Sequence, residues 1–252
     1  MRLTDLEYHR YLPTLSLLAL LMLWQIVSGL LNTNLLPAPI IVADFFWREL
    51  RSGQLPYHLG ITLLRLTVSF FIAMLLGCAI GILLGRHQKL DDFFDNWLII
   101  FLNIPALVTI ILCYVWFGLV ESAAILAVVI NKLPNVAVTI REGTRALNKD
   151  LLEMARCYHF SYRKTLVHVI WPQLHPFFMG AARSGIALIW KIVLVVELLG
   201  RSNGMGYQLH LFFQLFDVAG ILAYTIAFVA VIQLIELLIL KPLDKKGSRW
   251  RR

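Results

Sequence analysis

Six long apolar runs decide what this chain can fold into: Tyr11–Leu31, Leu59–Gly85, Trp97–Leu119, Ser122–Ile140, Phe177–Leu199 and Val218–Leu240. A run of about 20 such residues, wound as a helix, crosses the hydrocarbon core of a bilayer. The competing reading buries all six as internal helices of a soluble protein. Composition argues against it, because only 15% of the residues are charged and 59% are hydrophobic, whereas a soluble domain carries about a quarter charged residues. The expected class is therefore an all-α membrane protein. It has six transmembrane helices in a single domain spanning residues 1–252.

Charge orients the bundle. Lys and Arg give a net charge of +8, a balance that in a soluble chain would suggest nucleic acid. Its distribution says otherwise. Sixteen of the basic residues lie at the two ends and in the loops after the second and fourth runs; only Arg48, Arg51 and Arg201 lie on the other side. Arg65, Lys132, Arg183 and Lys191 fall inside runs. That split is the positive-inside pattern. It places both termini and the loop 141–176 in the cytoplasm, for a multi-pass chain of the inner membrane whose basic charge serves topology and lipid contact, with no nucleic-acid partner. The tail KPLDKKGSRWRR reads as a polybasic anchor to anionic lipid. The apolar stretch near the N-terminus is too long for a cleavable signal, and no small-x-small site follows it. Cys78, Cys113 and Cys157 sit in two runs and the cytoplasmic loop, so no disulfide framework is expected.

Several chemistries leave no trace. There is no His-Glu-x-x-His, no Cys-x-x-Cys and no phosphate-binding loop; the glycine-rich Gly200–Gly206 turn lacks the Gly-Lys-Ser/Thr such a loop needs. The seven histidines are scattered, and no metal site or cofactor bound by this chain is expected. An intramembrane enzyme would need a catalytic pair within the runs, and none is present. A stand-alone secondary transporter or channel is the other transport reading. Such proteins more often show internal repeats with broken helices at matching positions, which this sequence does not display.

The one long polar stretch between runs is Asp150–Pro172, DLLEMARCYHFSYRKTLVHVIWP. It reads as two short helices joined by a turn. Asp150 and Glu153 have the spacing of a capping box, and Leu151, Leu152, Ala155 and Tyr158 form an apolar stripe. Ser161 caps the second helix and Pro172 ends or kinks it. An amphipathic hairpin between membrane helices offers another protein a knob to hold. Elsewhere, Gly77, Gly81 and Gly85 are spaced for close helix packing, and Pro105 and Pro134 predict kinks in the third and fourth spans.

The hairpin resembles a known family, the membrane permeases of ABC importers, whose cytoplasmic loop carries Glu-Ala-Ala, a later Gly and Ile-x-Leu-Pro. Glu153, Met154 and Ala155 stand for Glu-Ala-Ala, His159 occupies the Gly position, and Val169, Trp171 and Pro172 stand for Ile, Leu and Pro. His tolerates the left-handed turn that Gly supplies. Leu36-Pro37-x-Pro39, Trp116-Phe117-Gly118 with Glu121, and Arg183, Trp190 and Glu197 are similar to the nitrate/sulfonate/taurine-type branch. The resemblance implies a type I ABC importer permease fold with a coupling helix between spans four and five. It also implies work as a homodimer, in the lipid bilayer, on two cytoplasmic ABC ATPase subunits that carry ATP-Mg, fed by an extracytoplasmic solute-binding protein. The coupling residues would be Glu153, Met154, Ala155, Tyr158, His159 and Pro172. The solute would be a small anion such as a sulfonate or nitrate. Its path would involve Arg183, Trp190 and Glu197, with Lys132 and Lys191, which the branch does not usually carry. The alternative for the two lysines is structural pairing with Glu121, Glu197 or Glu236.

Overall fold

The computed structural model describes residues 4–31, 35–240 and 242, and helices are the only regular elements among them. α1 (Thr4–Leu31) leads to α2 (Pro39–Ser52). Two α1 side chains tie the join: the Trp24 indole donates to the Pro37 carbonyl at 3.1 Å, and the Ser28 hydroxyl to the Leu36 carbonyl at 2.7 Å. Pro39 opens α2, where its missing N–H would be an orphan anyway, and Gly53 at φ 82° closes it. α2 lies between the first two apolar runs. Its Trp47 and Arg48 are exposed. On its other side, Phe45 meets Phe212 edge-on at 5.5 Å and Glu49 accepts a 2.7 Å hydrogen bond from Tyr224.

α3 (Gln54–Arg86), α6 (Glu121–Arg145) and α9 (Trp171–Gly200) form the heart of the molecule. In lipid, helices gain nothing from hiding apolar surface, so close approach of backbones has to hold them. The three spaced glycines of α3 provide it. A Cβ at Gly77 would lie 2.6 Å from the Val136 Cβ, one at Gly81 2.6 Å from the Ala137 carbonyl, and one at Gly85 2.6 Å from the Thr144 Cβ. Ala123, Ala124, Ala127 and Val128 of α6 then meet Ile189, Val193 and Val196 of α9 in the buried core. α10 (Met205–Gln214) and α11 (Val218–Ile235), which continues as a π-helical stretch Glu236–Leu240, close the bundle against α2.

The third run departs from expectation. In place of one kinked span the chain forms α4 (Gln88–Asn103) and α5 (Ala106–Phe117), bent by 95° at the break. Ile104 precedes Pro105 and is extended at φ −70°, ψ 124°, the conformation that a following proline imposes. Pro134, by contrast, stays inside α6, which is held on both sides by α3 and α9. The far end of α4 is clamped to α6 by charge. The Arg141 guanidinium bonds Asp91 at 3.0 Å and Asp95 at 2.6 Å, and Arg145 also bonds Asp91, which is buried.

Three helical stretches, Gln54–Arg86, Glu121–Arg145 and Val218–Leu238, are long and apolar enough to cross a membrane, and the bent α4–α5 pair makes a fourth if counted as one span. α1 contributes a shorter apolar stretch, Leu18–Leu31. α9 has the length but carries Arg183, Lys191 and Glu197 along it. The polybasic tail lies outside the described residues, apart from Pro242.

Candidate functional site

The loop between α6 and α9 builds a compact hairpin. α7 (Lys149–Cys157) is capped by Asn148, whose side chain accepts from the N–H groups of Asp150 and Leu151 at 2.8 and 3.2 Å. The cap is thus two residues earlier than Asp150. Gln173 selects this register by accepting the Asn148 N–H at 2.8 Å. At the other end the Phe160 N–H reaches the Ala155 carbonyl (2.9 Å) and the His159 N–H the Arg156 carbonyl (3.0 Å). This pair of bonds is a Schellman closure, and it puts His159 at φ 50°. His159 therefore takes the left-handed conformation expected of the glycine position.

Ser161 caps α8 (Tyr162–Thr165) as expected, accepting from the Lys164 N–H. The second helix does not stop at Pro172, however. It runs through a π-helical turn, Leu166–Ile170, straight into α9. In the π turn the Trp171 N–H bonds the Leu166 carbonyl, and such bulges absorb positions where the ordinary ladder fails; the next residue is the proline that has no N–H to give. The second arm of the hairpin is therefore continuous with the long core helix.

The faces of α7 also differ from the expected stripe. Ala155 is buried and Leu152 half-buried against the bundle, while Leu151, Met154 and Tyr158 stand outward, 41%, 40% and 73% exposed. Glu153 and Tyr162 are exposed beside them. The outcome is an apolar and aromatic knob with one carboxylate, presented to the outside.

At the opposite end of the bundle a buried charge cluster ties four segments. Arg65 of α3, only 4% exposed, grips Glu121 of α6 with Nε at 2.5 Å and Nη2 at 2.9 Å. Its Nη1 donates to Glu197 of α9 at 2.8 Å and to the Asn203 carbonyl at 2.9 Å, and Nη2 also reaches the Asn203 side chain. Glu197 is fully buried and accepts further bonds from the Thr62 hydroxyl and the Gly206 N–H, each at 2.9 Å. A Cβ at Gly204 would lie 2.3 Å from the Glu197 carboxyl carbon, so the glycines of this turn are there to let it close over the acid. His58 completes the seal, its Nδ1 accepting from the Gly204 N–H at 3.0 Å.

The five residues expected along a solute path do not form one cluster. Glu197 is consumed by Arg65, and among the described residues neither it nor Glu121 pairs with a lysine. Lys132 lies 1% exposed in the middle of α6, donating to the Asn135 side-chain oxygen at 2.7 Å and the Ser184 hydroxyl at 3.2 Å. Lys191 is exposed, its ammonium 5.6 Å from the Trp190 ring, and Trp190 packs on Phe228 at 5.3 Å. Arg183 is exposed on α9. Arg65, Thr62, Asn135 and Ser184 escaped the sequence reading. For Arg65 a signal existed: it lies in an apolar run, while Glu197 lies in another and Glu121 sits between two more.

Comparison with known proteins agrees with this architecture. The family model described as the binding-protein-dependent transport system inner membrane component matches residues 73–241. Two proteins named as aliphatic sulfonates transport permeases are similar over most of the chain. That of Escherichia coli (strain K12) is 32% identical over 73% of this chain and 71% of its own, and that of Bacillus subtilis (strain 168) 29% identical over 91% and 83%. Among solved structures, the inward-facing MetNI methionine ABC transporter superposes with a TM-score of 0.66 at 17% identity, covering 77% of this chain and 98% of the matched chain. The chain belongs to the family of binding-protein-dependent transport system inner membrane components, and is a permease subunit of an ABC importer.

Proposed function

We propose that this permease moves a small anion of the sulfonate type into the cytoplasm, and that the α7 hairpin is its coupling element. The single domain crosses the membrane six times, with both termini and the hairpin on the cytoplasmic side. In this reading α1 and α9 are spans, and the bent α4–α5 pair serves as the third. Two copies stand on two ATPase subunits that bind ATP-Mg, and an extracytoplasmic binding protein delivers the solute. Closure of the ATPase pair draws the two hairpins together. Because α8, the π turn and α9 are one continuous helix, that movement passes directly to the core, which opens outward; hydrolysis reverses it. Lys132, Arg183, Trp190 and Lys191 border the path, and the Glu197–Arg65 cluster holds its outer end. The sulfonate class is supported by the names of the relatives and by the cationic residues carried at membrane depth.

The observation that carries the reading is the hairpin itself: an exposed Leu151–Met154–Tyr158 face with Glu153 beside it, on a stem fused to the core. Glu153 caps nothing in α7, so Glu153→Ala leaves membrane level and dimerisation intact while solute-stimulated ATP hydrolysis and uptake fall together. Full uptake by the variant, measured with the assembled importer, would remove the coupling role.

A further inference from the structure

Lys132 lies midway along α6, roughly 17–20 Å from either end of the helix at 1.5 Å per residue. A lysine at that depth is costly, and it is normally retained where it meets a counter-charge or a water-filled cavity. Among the described residues it has no carboxylate partner. Two of its three N–H groups go to neutral acceptors, Asn135 and Ser184, and among the described residues no acceptor takes the third. The obvious acids are committed elsewhere, Glu121 and Glu197 to Arg65.

The polar residues around the ammonium are half-buried. Asn131, Asn135 and Thr139 recur every fourth residue, so they share one face of α6, and each is half-buried. Ser184 is half-buried on α9, and Lys191 lies seven residues further along, on the same side of that helix. Gly185 opens room for the lysine itself: a Cβ there would meet the Lys132 Cε and the Phe70 ring, both at 3.3 Å. The ammonium thus stands directly behind a polar stripe, reached through Asn135 and Ser184.

We propose that Lys132, Asn135 and Ser184 form an anion-recognition site in the translocation path. It rests on the sulfonate reading above and deepens it by assigning the charge that recognises the solute. All three can act as donors: the ammonium, the Asn135 amide N–H groups and the Ser184 hydroxyl, which in this conformation donates to the Ala181 carbonyl at 3.1 Å. A sulfonate or nitrate offers only acceptor oxygens and stays ionised at working pH. Asn135 and Ser184 each accept one ammonium N–H; when an anion arrives, the amide turns its N–H groups toward it and the third ammonium N–H takes an oxygen. Neutral partners suit this role, because a resident carboxylate would hold the lysine and repel the solute.

The test uses the complete importer in proteoliposomes with ATP enclosed, and ethanesulfonate as the probe. Lys132→Met keeps length and removes charge. It assembles with the ATPase and melts no earlier than wild type, since the ammonium has no counter-charge to lose, while ethanesulfonate uptake falls at least fivefold; Lys132→Arg retains more uptake than Met. Asn135→Asp locks the ammonium in an internal ion pair, so it keeps or gains thermal stability and also loses at least fivefold. A smaller loss in either variant overturns the proposal. So does poor assembly of Lys132→Met, which would make the ammonium a structural group. If the wild-type importer carries ethyl methyl sulfone, a neutral solute of similar size, and not ethanesulfonate, the sulfonate reading falls and this site with it. If wild type imports ethanesulfonate and the variants match it, only the Lys132 assignment falls.

Discussion

At position 159 the backbone holds a histidine at φ 50°, where a side chain's Cβ crowds the following carbonyl at a cost of about 1–2 kcal/mol. Glycine would remove that strain, and a β-branched residue would add to it. His159→Gly is accordingly at least as stable as wild type and transports normally. His159→Val loses about 1–2 kcal/mol locally and recovers less ATPase on co-purification, a comparison made directly by pull-down and thermal melting. Equal recovery for Gly and Val would show that the turn does not matter. The histidine's conformation was legible from the sequence because the family spacing names the position and the residue type permits the angle. The cap of α7 was not. Asn148 and Asp150 are equally good capping residues, and the choice is made by Gln173, 25 residues along the chain. The partners of Arg65 were hidden for the same reason, lying 56 and 132 residues away.

At the scale of elements, the core seam was readable and the breaks were not. Glycines four apart on α3 announce a close helix partner, and α6 is that partner. Pro105 and Pro134 look alike in sequence, yet one breaks a helix and the other does not. Packing on both flanks carries α6 as one continuous helix through Pro134, whereas Asn103 and Pro105 at the α4–α5 joint are exposed. Pro172 illustrates a third outcome, absorption by a π turn. The Arg65 cluster joins α3, α6, α9 and the glycine turn before α10. Removing the guanidinium would leave Glu197 buried without its cation, a loss of about 3–5 kcal/mol for a buried pair. Arg65→Met therefore unfolds at lower temperature and yields less monodisperse protein. Adding Glu197→Gln restores much of the loss, so the double-mutant cycle is non-additive. Additive effects would mean that the two side chains stabilise the bundle independently.

For the whole molecule, the sequence conveyed class, family and charge asymmetry, because apolar runs and basic loops are local properties. Which apolar helices cross the bilayer depends on how they bend and pack, and this is why α4–α5 differs from a simple span. Cys157, exposed at the end of α7, reports the orientation. A membrane-impermeant thiol reagent labels it in inverted vesicles and not in intact spheroplasts if the hairpin is cytoplasmic; labelling from outside would reverse the topology. The central claim is that this permease imports its solute by ATP hydrolysis on a partner gripping the hairpin. Its most direct test is ethanesulfonate uptake into proteoliposomes carrying the permease, its ATPase and its binding protein. Uptake that requires ATP together with both partners, and accumulates against a gradient, is the expected result. Uptake by the permease alone, running down the gradient without ATP, would contradict the account.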